Sequence, residues 1–160
     1  MIKQSLKTLC FLTLLMAISI YFQLPASATE AQNNVRVVDG IAIYIGIMPA
    51  ALIRGHSNNS IEQAMHNGKP SSQKSVHLVV SLFNDKTGAR IENAKISGSI
   101  MELGIKAQKK ELEIMYIADT FSYGNFFTMP SNNFYHIKLL IRLRNGTEIK
   151  TQFTHKHFTN

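Results

Sequence analysis

The sequence has few of the residues that stabilise small exported domains or mark most enzymes. It contains one cysteine, Cys10, no tryptophan and four prolines in 160 residues. A lone cysteine cannot form an intramolecular disulfide, so packing alone must hold the fold. The sequence also lacks a nucleophile elbow, a phosphate-cradling glycine loop and a paired-carboxylate arrangement. These absences predict a protein that is not an enzyme.

The N-terminus has the three-part pattern of a secretory signal. Lys3 and Lys7 precede an apolar run at 9–22, and the small residues Ala-Ser-Ala follow at 26–28. The run is shorter than the ~20 apolar residues that span a bilayer. We therefore predict a signal peptide at 1–28, cleavage after its last residue, and no stable membrane span in the mature protein.

The remaining chain, 29–160, has the size of one domain and contains no cysteine. An exported domain without disulfides is typical of a bacterial periplasm, so we expect a periplasmic or secreted protein. The formal charge of +7 falls to +5 when the two signal-peptide lysines are removed. The basic residues are scattered and accompany no RNA-binding or helical recognition motif, which argues against a nucleic-acid partner.

Apolar residues alternate with polar ones in several short segments, as in strands with one buried face. The clearest alternating sets are Ile41, Ile43, Ile45 and Ile47; Val76, Leu78, Val80 and Leu82; and Tyr135, Ile137, Leu139, Ile141 and Leu143. No long amphipathic helix is evident. The pattern predicts an all-β fold, an immunoglobulin-like antiparallel β-sandwich of about seven strands, with a small closed barrel as the alternative.

Three connections can be predicted in more detail. The segment 50–54 fits a further short strand, and the turn at 84–88 fits a hairpin whose return strand reaches Ile100, with Gly98 at a bulge or close backbone approach. The last hairpin fits a three-residue loop at 144–146 with Gly146 left-handed. Only that loop places Ile141 opposite Ile149 and buries the same face of both strands.

Two stretches resemble a known group of proteins. The stretch 76–101, with its Asp-Lys-Thr-Gly turn, resembles a hairpin of small bacterial periplasmic sandwich domains, including the FixH and YtkA-like group. The stretch 121–144, with an aromatic strand followed by Met129-Pro130, is similar to the end of such domains. The resemblance implies a sandwich fold and an association with metal handling or oxidase assembly, and it supplies no catalytic motif.

The candidate site lies in a long polar loop predicted at 55–75. This loop contains His56, Met65 and His66, and His77 follows on the next strand, on the face opposite Val76. Imidazole and thioether groups are suitable copper ligands, and thioethers favour Cu(I). These four residues are therefore our predicted copper ligands. The alternative is that the histidines are solvated and the methionine fills a gap in the core.

His155 and His157 are a second candidate pair, because His-Lys-His on a strand places both imidazoles on one face. The alternative is a frayed C-terminus. Two functions remain open at this stage. The first is an exported domain that binds or delivers a metal ion, and the ligand types indicate that this ion is copper. The second is a non-catalytic interaction module that binds another envelope protein through the aromatic segment 121–127 or a sheet edge.

Overall fold

The computed structural model describes residues 34–54, 72, 74–117, 120–130 and 132–158. All of them belong to one compact unit, residues 32–160. The predicted signal peptide and its cleavage site lie outside the described residues, as does nearly all of the long loop predicted at 55–75. Those assignments stay predictions.

The described residues form eight strands and one short helix. In chain order they are β1 (Val35–Val38), β2 (Ile41–Pro49), α1 (Ala50–Arg54), β3 (Ser75–Asn84), β4 (Lys95–Glu102), β5 (Gln108–Ile117), β6 (Thr120–Thr128), β7 (Asn133–Arg142) and β8 (Glu148–His157). Every ladder between them is antiparallel. The predicted all-β class is confirmed, and the four-residue β1 accounts for the strand beyond the expected seven.

The strands are hydrogen-bonded in the order β1-β2-β3-β6-β5-β4-β7-β8. β5 connects the two layers of the sandwich, because residues 108–112 pair with β4 whereas residues 113–117 pair with β6. β1, β2, β3 and β6 thus form the first layer with the second half of β5. β4, β7 and β8 form the second layer with its first half.

The sandwich has an open edge between β1 and β8, which are the two ends of the strand order. No ladder joins these two strands within the described residues. Instead, the Arg36 guanidinium lies over the Phe153 ring, 5.6 Å from its centroid. The architecture is therefore the predicted sandwich rather than the alternative closed barrel.

The main core lies between the layers and follows the predicted alternation. Val76, Leu78, Val80 and Leu82 of β3 are almost fully buried, as are Ile137, Leu139 and Ile141 of β7. Gly98 of β4 sits at the centre of this core. An ideal Cβ on Gly98 would lie 3.2 Å from Leu112 Cδ2, so the close approach expected at this glycine is confirmed.

The final hairpin has the predicted register. Ile141 pairs with Ile149 and Ile137 pairs with Phe153. Gly146 has a φ of 88°, and its amide donates a hydrogen bond to the Leu143 carbonyl oxygen at 3.0 Å. Burial of matched apolar faces on β7 and β8 did select the three-residue loop, because a one-residue slip would expose both faces.

Two local predictions were wrong. The segment 50–54 is the helix α1 and not a strand, in keeping with the high helix propensity of alanine, leucine and arginine. The turn at 84–88 is correct, with Gly88 at a φ of 68°, but the hairpin that follows is short. The Ile91 backbone amide donates a hydrogen bond to the Leu82 carbonyl oxygen at 2.8 Å, and no ladder between β3 and β4 follows among the described residues. β3 pairs with β2 and β6, and β4 pairs with β5 and β7. Apart from one bridge between Phe83 and Arg90, the chain crosses here from the first layer to the second.

Candidate metal centre

The outer face of the first layer carries a small buried group that is separate from the main core. It consists of His77 on β3, Met115 on β5 and Phe126 on β6, with relative exposures of 4%, 1% and 9%. These side chains lie on the opposite face of their strands from the residues that fill the core, such as Val76 and Phe127. We call these three residues the outer cluster.

Strand register brings the outer cluster together. His77 lies directly opposite Phe126 in the β3–β6 ladder, and their ring centroids are 4.8 Å apart at an interplanar angle of 36°. Gly124 lies two residues before Phe126, on the same face. An ideal Cβ on Gly124 would be 2.8 Å from His77 Nε2 and 2.6 Å from Met115 Cε. The absence of a side chain at this glycine leaves room above it for both the imidazole and the thioether methyl.

A second methionine flanks His77 on its other side. Met48 of β2 is the direct partner of His77 in the β2–β3 ladder, and its side chain is 36% exposed. Directly paired residues of an antiparallel ladder project from the same face, with Cβ atoms about 4.5–5.5 Å apart. His77 is therefore bordered by one thioether on the neighbouring strand and by a second one across Gly124.

The other three predicted ligands, His56, Met65 and His66, lie outside the described residues. The described chain nevertheless fixes where their segment begins and ends. β2 ends at Pro49, opposite Val76 of β3, and α1 continues the chain to Arg54. The chain enters β3 at Ser75. Both attachment points thus lie at the end of the first layer that carries Met48 and His77.

Within the described ranges, no three His, Cys, Asp or Glu side chains are close enough to hold a metal ion together. The outer cluster with Met48 supplies one imidazole and two thioethers. These are soft and borderline donors, which suit Cu(I) better than calcium or magnesium.

Among the residues that the structure describes, no helix has the length and apolar character needed to cross a bilayer.

The C-terminal histidine pair is ordered as part of β8, so the expectation of a frayed end at this point was wrong. His155 and His157 lie on one face, as predicted, with ring centroids 5.8 Å apart and an interplanar angle of 34°. His155 is 9% exposed. Its Nε2 is buried and has no hydrogen-bond partner in the described structure.

Burial also determines the protonation state of this pair. Desolvation lowers the pKa of both imidazoles below the usual value, and the nearby His157 charge lowers the pKa of His155 further. Burial disfavours the charged form of a histidine because the interior solvates an ion poorly. The lowered pKa values favour the neutral form of both rings.

We expect the domain to lose stability as the pH falls from 7.5 to 5. In the unfolded chain both histidines bind protons at about pH 6.5, whereas in the folded state their pKa values are lower. The unfolded state therefore gains more protons below pH 6.5, and the free energy of unfolding decreases. Melting curves at several pH values measure this slope.

The variant for that experiment is the double substitution His155→Gln with His157→Gln, which removes both imidazoles. It should show a flatter pH dependence than the parent. An unchanged slope in the double variant would contradict the assignment to this pair.

A polar group next to this pair was missed by the sequence reasoning. The Tyr135 hydroxyl lies 2.8 Å from the Pro130 carbonyl oxygen and 3.3 Å from Glu102 Oε2, and Asn133 Nδ2 donates a hydrogen bond to Glu102 Oε1 at 2.7 Å. Burial, followed by the charge of Glu102, raises the pKa of Tyr135 to about 12. Glu102 occupies an inward position of β4, two residues after the core residue Ile100. A carboxylate at an inward position of a strand is the sequence feature that could have predicted this polar group.

The aromatic segment of β6 is buried, so it does not provide the exposed surface that was considered for binding an envelope protein. Tyr123 and Phe127 are 1% exposed and Phe126 is 9% exposed. The Tyr123 hydroxyl accepts a hydrogen bond from the Ala94 amide at 2.9 Å, which ties the first layer to the segment that leads into β4. These aromatic residues stabilise the fold.

No protein-family model matches this sequence, and neither does any curated protein. Several solved structures are similar in fold. A DUF4426 family protein of Pseudomonas aeruginosa aligns with a TM-score of 0.60 at 11% identity, over 79% of this chain and 97% of that one. A copper-bound variant of FetP from uropathogenic Escherichia coli gives 0.60 at 12% identity, over 77% and 93%.

A copper-bound variant of Campylobacter jejuni P19 gives a TM-score of 0.61 at 10% identity, over 81% of this chain and 98% of that one. The fold is that of these sandwich proteins. Such low identities establish the fold and no shared activity. The similarity supports the expectation of a small β-sandwich domain, but it does not single out the FixH and YtkA-like group suggested by the sequence.

Proposed function

We propose that this protein is an exported domain of the bacterial envelope that binds copper, with His56, Met65, His66 and His77 as ligands. The domain carries or buffers the ion and does not catalyse a reaction. The observation that carries this proposal is the position of His77. It lies between Met48 and Met115 on the outer face, at the end of the first layer where the segment with the other ligands begins and ends.

The connectivity supports a site built from that segment and the sheet. In the β2–β3 ladder, Met48 pairs with His77 and Pro49 pairs with Val76. The segment that contains His56, Met65 and His66 therefore leaves and rejoins the sheet within a few residues of His77. Because both ends of this loop are close to His77, the loop could place its ligands beside His77 without any change in the strand pairing.

Donor chemistry favours Cu(I) over harder ions. The proposed set combines imidazoles with a thioether, and Met48 and Met115 add two more thioethers close to His77. Soft thioether ligands select Cu(I), whereas calcium and magnesium require oxygen ligands. The segment contains a single carboxylate, Glu62. The copper-bound structures of FetP and P19 show that sandwiches of this shape can hold copper.

The proposal is tested by Cu(I) titration in the presence of a competing chelator. We compare the parent with two double variants, Met65→Ala with His66→Ala and His155→Gln with His157→Gln. The first should weaken Cu(I) binding at least tenfold, because it removes two of the four ligands, and the second should leave Cu(I) affinity close to the parent value. Circular dichroism establishes that both variants are folded.

Equal Cu(I) affinity in the two double variants would contradict the proposed ligand set. Failure of the parent to compete with the chelator would contradict copper binding itself and would favour the second function.

That second function, a module that binds an envelope protein, is supported by one observation. Ile114 and Tyr116, on the second half of β5, are 51% and 60% exposed, on a stretch that pairs only with β6 among the described strands.

A further inference from the structure

The end of β8 carries two histidines on one face that the copper proposal does not use. His155 is buried in the sandwich and His157 is partly exposed beside it. From their geometry we infer that His155 and His157 form a second binding site, for a divalent transition-metal ion that accepts nitrogen ligands. This site is independent of the thioether ligands proposed for Cu(I).

The first argument is the unpartnered nitrogen. His155 Nε2 is buried and has no hydrogen-bond partner in the described structure. Buried polar side-chain atoms nearly always have a partner, and one without any costs free energy. An imidazole nitrogen that carries a lone pair is also a metal ligand. A bound ion would supply the interaction that this nitrogen lacks.

The second argument is the spacing of the two rings. Metal–nitrogen bonds of zinc are about 2.0–2.1 Å long, so two imidazoles that share one ion have ring centroids about 5–6 Å apart. The centroids of His155 and His157 are 5.8 Å apart. The i, i+2 spacing on a strand keeps both rings on the same face, so the separation of the rings fits two ligands of one ion.

The surroundings hold this arrangement in place. Tyr135 lies directly opposite His155 in the β7–β8 ladder, and Asn133 lies opposite His157. The Asn132 backbone N–H donates a hydrogen bond to the His157 carbonyl oxygen at 2.7 Å, which fixes the end of β8. Desolvation lowers the pKa of both histidines, which favours the neutral form that binds metals.

The ligand types indicate the class of ion. Two imidazoles without a thiolate or a thioether suit Zn²⁺, Ni²⁺ and Cu²⁺, and divalent copper binds such nitrogen sites most tightly of the three. Two protein ligands leave positions for water in a four-coordinate ion. The partial exposure of His157 provides access from solvent.

Titration of the purified full chain with Zn²⁺ alone, followed by calorimetry, tests this site. Zn²⁺ is redox-inactive and avoids the preference of thioethers for Cu(I). We expect His155→Gln and His157→Gln each to weaken Zn²⁺ binding at least tenfold. His136→Gln, which removes an imidazole from the outer face of the same layer, should leave Zn²⁺ affinity unchanged.

Any of three results would overturn the inference: no Zn²⁺ binding by the parent, parent affinity in the His157→Gln variant, or loss of Zn²⁺ binding in the double variant Met65→Ala with His66→Ala. The second result is decisive even if His155→Gln fails to fold, because His157 is the more exposed of the pair. The double variant Met65→Ala with His66→Ala separates this inference from the proposed function. This double variant should lose Cu(I) affinity and retain Zn²⁺ affinity. Loss of Zn²⁺ binding in it would show that Zn²⁺ binds at the proposed copper ligands and not at His155 and His157.

Discussion

Replacing Gly124 by alanine is expected to destabilise the domain by about 1–3 kcal/mol, the usual cost of overpacking a well-packed interior. The new methyl group would lie 2.6 Å from Met115 Cε, 2.8 Å from His77 Nε2 and 2.9 Å from the Leu78 carbonyl oxygen. The methionine methyl can move, but the carbonyl belongs to the β3 backbone and cannot. Thermal unfolding should show a melting temperature lower by several degrees, since each kcal/mol is worth roughly 4–8 °C in a domain of about 100 residues.

Gly46→Ala provides the matched control. Gly46 lies on β2, on the same outer face, and an ideal Cβ there would meet only Val79 Cβ, at 4.0 Å. That separation is an ordinary contact, and alanine is favoured over glycine within a strand. The control should be as stable as the parent or slightly more so. Equal melting temperatures for the two alanine variants would show that the outer cluster is not packed against Gly124.

Truncation of Met115 to alanine should cost about 2–5 kcal/mol, because it removes a fully buried side chain and leaves a cavity beside His77. Urea unfolding measures this change as a lower midpoint with a similar slope. The large loss is expected because Met115 is buried in the outer cluster. Its neighbours in sequence, Ile114 and Tyr116, project from the other face of β5 and are exposed.

Met115→Leu separates packing from ligation at this position. Exchange of methionine for leucine nearly conserves volume and usually costs less than about 1.5 kcal/mol. The leucine variant should therefore remain stable, and any loss of Cu(I) affinity in it would report the missing sulfur. If the alanine variant unfolds at the same urea concentration as the parent, Met115 does not support the outer cluster.

Alternation of apolar residues predicted which faces are buried, but it could not name the partners of each strand. The register of β7 and β8 was predictable because a three-residue loop connects them and only one alignment buries both faces. β3 and β4 are also separated by a recognisable turn, yet they lie in different layers. Nothing in the local sequence distinguishes a turn within one layer from a crossing between two.

The change of partner along β5 explains a second difference. Leu112, Ile114 and Tyr116 alternate as a buried face would, but Leu112 is buried and the other two are exposed. The strand passes from β4 to β6 after Leu112, so its inward face leaves the core there. Met115, on the other face, is buried with the outer cluster instead.

The candidate site was predictable only in part. The position of His77 on the face opposite Val76 followed from strand alternation alone. Its proximity to Met115 did not, because it depends on the pairing of three strands and on the absence of a side chain at Gly124. Burial of His155 was missed for a similar reason, since proximity to a chain end favours fraying and only the ladder with β7 opposes it.

The dual pairing of β5 also has a consequence for how the chain folds. β3 and β6 are neighbours in the sheet although β4 and β5 lie between them in sequence, and small domains dominated by such non-local pairings fold in about milliseconds to seconds. Until β5 has paired on both sides, β4 and β6 each present an open edge that can pair with another chain. The strand that connects the layers is thus also the strand whose docking protects the nascent domain from aggregation.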